Sequence, residues 1–482
     1  MDAAIITVAL YVIMIIVVGV IGMKKTKSFS DFFLGGGNVG PLMSAFSYGT
    51  AYFSAVLFIG FAGKIGWDFG ISGLWIGFFN AAVGVFAVWA IMGWKIKQMS
   101  VSYNVSTMSE FLEKRYNSPY LKLLSAIVIF VFMIPYSAAV FMGLSYLFTT
   151  NFGIEYHYAL IFMGMLTAIY LVLGGYKSMA IIDVIFGMIM VGGVIILFYS
   201  TLAAGNGLDG ILGSLESIDP ELTATVGPPG FWPLFYLIFL TSLAPFAMPQ
   251  LVQKFYAIRD RKSIKTGMFA STLFASLIGG VAYFVGATTR IFLTPESAPS
   301  VFSNGIPIAD RLMPELLTNV VPDALSVLIL LLILSASMST LAALVLISSS
   351  SVSKDIVEGF IFKSMSDRSL TMLMRVMSAI FVLLSVLLAY MNIDSIVAIL
   401  GISWGAIGSF FLGPFIWGLF SKRVNAAGAW SSGILGLITC LALYFSGISS
   451  PQAGTIGMLV SLLGNPVFSF LANLLAPKVQ SA

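Results

Sequence analysis

Charge is scarce in this chain. Only 9% of its 482 residues are Asp, Glu, Lys or Arg, where a soluble globular domain carries about 25%, and 59% are hydrophobic. That excludes a water-soluble globule and leaves a polytopic membrane protein, consistent with a mean hydropathy of +1.00. Cysteine is nearly absent. A single residue, Cys440, excludes an intramolecular disulfide and any cysteine metal cluster. Histidine is as rare: His157 stands alone at a loop edge, which argues against a histidine proton relay or a histidine-dependent membrane enzyme. The N-terminus lacks the basic region of a cleavable signal peptide, because Met1-Asp2 leads straight into apolar sequence and the positive flank comes after it. No soluble signalling domain is expected on the chain, since Ala482 follows soon after the last apolar run.

What fills the sequence is apolar runs near the roughly 20 residues that span hydrocarbon. Thirteen are read, at residues 5–21, 41–63, 69–94, 121–148, 158–173, 179–203, 231–252, 268–293, 324–347, 370–391, 396–420, 426–445 and 455–475. Lys and Arg near span ends mark the cytoplasm. With alternating loops, all 24 Lys and Arg fall on that side except Lys64, Arg290 and Arg311, so the N-terminus is expected outside and the C-terminus inside. The net charge of +4 then follows from orientation and calls for no nucleic acid. Residues 107–116 open with a capping box, Thr107 to Glu110, and read as a short cytoplasmic helix. The acidic outer loop 205–230 reads as a solvated segment, and the amphipathic stretch 308–317 as a lid or a passive loop.

Two spans are interrupted. Residues 47–50 (SYGT) break the second, and the prolines of 243–249 (LAPFAMP) break the seventh by removing backbone donors. Five spans separate them. An odd offset gives the two units opposite orientation, as inverted-repeat transporters require, and irregular backbone at membrane depth belongs beside a cavity or in protein. In the ninth span, residues 334–340 read LSASMST. Positions i, i+3 and i+4 share a helix face, so the Ala336 carbonyl and the Ser339 and Thr340 hydroxyls can converge on one point, a neutral oxygen set suited to a hard cation. The same spacing also serves hydroxyls that only bond back to the preceding turn.

Several segments resemble the sodium:solute symporter family. They are Gly418-Leu419 with Arg423, Gly428-Ala429 and the SGILG of 432–436; the GGYKS of 174–178; TMSEFLEKRY at 107–116; and 338–341 followed by SSSVSKDI at 349–356. The resemblance runs from about Asp31 to Gly436. It implies an all-α chain with a LeuT-type core of five plus five inverted helices: an extra helix at 1–30, a first repeat at 38–203, a second at 231–421 and C-terminal helices at 425–482, all in one transmembrane domain. It further implies Na⁺-coupled import of a small organic solute by alternating access. The family's shared Na⁺ site carries over to the carbonyls of Thr50 and Phe53 and to Ala336, Ser339 and Thr340, with Asp183 in the inner cation pathway. Ser54, Tyr136, Thr241 and Trp404 are the candidates for lining the solute.

The solute class stays open. The aspartate that proline symporters carry two residues before their counterpart of Ser54 is Tyr52 here, and their span-seven aromatics correspond to Thr241 and Pro245, which argues against proline. No span has a central Arg, so a neutral, zwitterionic or monocarboxylate solute fits better than a dianion. H⁺ remains the alternative coupling ion. A channel would need a continuous polar pore and an enzyme convergent acid, base or metal ligands, and neither is evident. Positions matching a second Na⁺ site in relatives are Ala342 and Ala343, whose methyls cannot coordinate, so one Na⁺ per solute is expected. The protein is expected to work as a monomer in the cell's inner or plasma membrane.

Overall fold

The computed structural model describes residues 2–25 and 28–475, nearly all of them helical. Lys27 and Lys478, both counted above on the cytoplasmic side, lie outside the described residues. Among those described, ten helices are long and apolar enough to cross a membrane, or eleven if the bent pair Phe231–Ala247 and Pro249–Ala257 is one span. The count falls short of thirteen for two reasons. Val56–Tyr103 is helical almost throughout and spans 48 residues, turning at Gly70–Gly73 without a long loop, and Tyr156–Ile169 is a shorter apolar helix.

The first interrupted helix runs Pro41–Tyr52, opens at Phe53 (φ −108°, ψ 121°), and resumes at Val56 with a wide π-type turn before Ala62–Phe69. The opening therefore comes a turn later than residues 47–50 suggested. Gly49 stays helical because it is a packing residue: a Cβ there would stand 2.5 Å from the Phe274 ring. The second interruption is where the prolines put it. Phe231–Leu243 ends in a tight turn at Ala244–Ala247, Met248 is extended, Pro249 starts the next helix, and the axis bends by 41°. A third change of direction is Gly175, at φ 65° and ψ 177°, inside the helical stretch Tyr156–Ala204. Only glycine suits that conformation readily.

Against both broken helices packs Asp323–Ser350, whose residues 329–350 are almost all buried. A helix apolar on every side belongs at the centre of a bundle. The serines at 348–351 are not solvated: they are buried, and three of their hydroxyls bond back to carbonyls of the preceding turn. At one edge Ile396–Phe420 packs on Ala426–Phe445 and Ser450–Leu475 through small residues, so closely that a Cβ on Gly405 would lie 2.9 Å from the Gly454 Cα. The capping box at Thr107 forms, with Met108–Tyr116 as its helix.

The acidic loop is not merely solvated either. It folds into Gly207–Ile218 and Pro220–Thr223, burying Ile211, Leu215 and Leu222. The amphipathic stretch is the helix Ala309–Val320, laid over the ends of Ala62–Phe69 and Pro119–Phe152. Its Asp310 carboxylate accepts the Ile396 N–H at 3.0 Å, against the positive end of the Ile396–Phe420 helix.

Candidate cation site and solute cavity

Three backbone carbonyls crowd one hydroxyl. Thr340 Oγ1 lies 3.1 Å from Thr50 O, 3.1 Å from Ala336 O and 3.4 Å from Ala51 O, all fully buried. One hydroxyl proton can satisfy one of them. The surplus of oxygen acceptors, formed where the first broken helix meets Asp323–Ser350, is the electrostatic setting in which a dehydrated cation is stable. Of the expected ligands, Thr50, Ala336 and Thr340 are brought together here. Phe53 is not in this cluster. Its backbone is extended, the amides of Leu57 and Phe58 turn instead to Ser54 O, and its ring borders the cavity described below.

Ser339 faces a second, adjoining group. Its hydroxyl donates to Asp183 Oδ1 at 2.6 Å and lies 2.8 Å from Thr50 Oγ1. The other carboxylate oxygen, Oδ2, accepts from Ser47 Oγ at 2.5 Å, and Ser47 Oγ accepts from Lys254 Nζ at 2.9 Å. Asp183 and Lys254 are 0% and 1% exposed. A buried charge is tolerated where it is paired and hydrogen-bonded, and here each is. Asp183 thus sits deep among hydroxyls; the side chain of Lys177, its nearest sequence neighbour of opposite charge, lies outside the described residues. Sequence reasoning missed Ala51, Ser47 and Lys254. Position near a span end makes Lys254 look like a loop charge, although a lysine five residues after Pro249, between two glutamines and an aromatic run, signals a polar buried segment.

The four proposed lining residues, Ser54, Tyr136, Thr241 and Trp404, all border one small cavity of about 30 Å³, together with Tyr52, Phe53, Asn80, Tyr283 and Leu400. That volume holds roughly two water molecules. Among the described residues, no carboxylate, lysine or arginine borders it. Tyr52 closes it: its ring stacks on Trp404 with centroids 5.9 Å apart, and its hydroxyl donates to Thr241 O at 2.7 Å, joining the two broken helices at their interruptions. One helical turn farther along lies a wider cavity of about 820 Å³, bordered by Ile65, Leu237, Val397, Trp232, Tyr236 and Tyr444. Ile65, Leu237 and Val397 of the wider cavity stand about one turn from Phe61, Thr241 and Leu400 beside the smaller one.

Two broken helices packed on a buried third, an oxygen cluster at their contact and a small cavity beside the breaks define a secondary transporter of the LeuT-like fold. A solved structure of a Na⁺-coupled sialic acid symporter superposes with a TM-score of 0.83 over 97% of both chains at 19% identity, which establishes the fold. The model of the sodium:solute symporter family matches residues 32–436, and the chain belongs to that family. It is a Na⁺-coupled solute symporter. Among curated relatives, the sodium/proline symporter of Escherichia coli is 27% identical over 97% of this chain and 92% of its own length. The sodium/pantothenate symporter of Haemophilus influenzae is 26% identical, covering 88% of this chain and 87% of its own.

Proposed function

We propose that Na⁺ binds where the first broken helix meets Asp323–Ser350, held by Thr50, Phe53, Ala336, Ser339 and Thr340, and that it leaves past Asp183. The observation that carries this is the excess of carbonyls around the Thr340 hydroxyl. Phe53 enters the ligand set if its carbonyl, freed by the extended backbone, swings inward when the ion binds. The solute sits between Ser54, Tyr136, Thr241 and Trp404, in a cavity that widens when the Tyr52 to Thr241 bond opens. A lining free of carboxylates and fixed positive charge suits a neutral or zwitterionic solute, or a small monocarboxylate. Relatives carry proline and pantothenate, but Tyr52 and its stack on Trp404 take up room a proline-type site would use.

The remaining architecture follows the same reading. Thirteen spans form one domain, with an extra helix at 1–30, inverted repeats at 38–203 and 231–421, and C-terminal helices at 425–482. The protein works as a monomer in the inner or plasma membrane, N-terminus outside, as a transporter without catalytic residues. One Na⁺ accompanies each solute, since Ala342 and Ala343 offer only methyls.

Removing one hydroxyl costs the ion a ligand, about 1.5 to 3 kcal/mol, or roughly ten- to a hundredfold in affinity. Thr340→Ala and Ser339→Ala are expected to raise the Na⁺ concentration for half-maximal quenching of tryptophan fluorescence, and for uptake once a solute is found by counterflow screening. Unchanged Na⁺ dependence in both variants would mean the ion binds elsewhere.

A further inference from the structure

Lys254 brings a fixed positive charge to within one hydroxyl of Asp183. The contacts link four separate segments: Lys254 on Pro249–Ala257, Ser47 on Pro41–Tyr52, Asp183 on Tyr156–Ala204 and Ser339 on Asp323–Ser350. Every residue of Pro249–Ala257 is buried, so the ammonium has no route to water along its own helix. Its position is also set from the side, where Nζ lies 5.0 Å from the Tyr176 ring centroid. An intramembrane carboxylate needs a counter-charge. Here the protein supplies one covalently.

Around that carboxylate the oxygens are arranged closely. Ser47 Oγ is 2.5 Å from Oδ2, Ser339 Oγ is 2.6 Å from Oδ1, and Thr50 Oγ1 is 2.8 Å beyond Ser339. One acid and three hydroxyls are a hard-oxygen set with the charge to hold a monovalent cation. What opposes such an ion is the ammonium on the other side of Ser47. Two like charges a few ångströms apart in a buried site weaken binding by roughly a hundredfold or more.

We propose that Lys254 is a tethered cation that takes the electrostatic place of a second coupling ion: through Ser47 it neutralises Asp183, so that no second Na⁺ settles among Asp183, Ser47, Ser339 and Thr50, while the coupled ion beside Thr340 passes Asp183 without resting there. Loss of the lysine charge converts that set into a Na⁺ site. The inference rests on the Na⁺-coupled reading above only for the identity of the ion.

The test needs no solute. Na⁺ bound per protein is counted with radioactive ²²Na⁺ on the full chain in lipid nanodiscs. Lys254→Met is expected to bind one more Na⁺ than the unsubstituted protein, Lys254→Arg the same number, and the neutral pair Lys254→Met with Asp183→Asn again the same number. Where Lys254→Met is unstable without salt, Na⁺ is expected to restore its thermal stability while N-methylglucamine does not. An unchanged count in a monodisperse Lys254→Met protein, an unstable one that Na⁺ fails to rescue, or an extra ion that persists in the double variant overturns the proposal. The count in the unsubstituted protein tests the Na⁺ site itself: zero would sink that site, while the difference between Lys254→Met and the unsubstituted protein would still decide the role of the lysine.

Discussion

Asp310 makes the docking of the Ala309–Val320 helix depend on pH. Burial pushes its carboxyl up to about 6, against the Ile396 N–H and Lys64, which favour the charged form; the nearby Asp394 adds to the rise. When the helix lifts and water reaches the side chain, the value returns to about 3.9. The docked state therefore binds the proton more tightly than the undocked one. Its stability is lowest and flat above about pH 7, grows as pH falls through 6, and levels off below about 4. Between pH 7.5 and pH 5 the gain is about 1.4 kcal/mol, close to tenfold in the ratio of docked to undocked forms. A thiol reagent can read this. Leu312 is 1% exposed under the docked helix and Thr318 is exposed on its far side, so Leu312→Cys in a Cys440→Ser background should label more slowly at pH 5, relative to Thr318→Cys at the same pH, by close to that factor. Asp310→Asn should leave the ratio independent of pH. If the ratio is the same at both pH values with Asp310 in place, Asp310 does not govern docking.

Two further outcomes test the arrangement of the helices. A reporter fused after Ala482 should be cytoplasmic and a cysteine placed at Asp219 should label from outside; finding both on one face would refute the thirteen-span topology. Gly66 and Gly286 hold two helices in contact, since a Cβ on Gly66 would fall 2.0 Å from the Gly286 carbonyl oxygen and one on Gly286 2.0 Å from Ala62 O. Gly286→Ala should cost about 1 to 3 kcal/mol or more and lower the melting temperature in detergent, while Gly280→Ala, facing open space on the same helix, should not; equal melting temperatures would show that the helices can separate freely.

The class, the family and the two interrupted helices were legible without coordinates because each depends on local or periodic signals: long apolar runs, prolines with no donor, and hydroxyls at helical spacing. So were four cavity residues, Ser54, Tyr136, Thr241 and Trp404, through the family resemblance that located them beside the breaks. Where the chain opens was read a turn too early, because Gly49 looks like a helix breaker in sequence and is in fact a contact with Phe274, 225 positions away (274 − 49). Lys254 is the plainest case of what sequence leaves open. Counting charges near span ends treats every lysine as a loop residue, but whether an ammonium meets water or a carboxylate depends on which distant segments pack around it. Ser47 and Asp183, 207 and 136 positions from their respective partners in the chain of contacts, decide that only once the bundle has closed. Composition and periodicity specify what each helix is; the identity of its neighbours, and with it the sign and position of every buried charge, is a property of the packed structure.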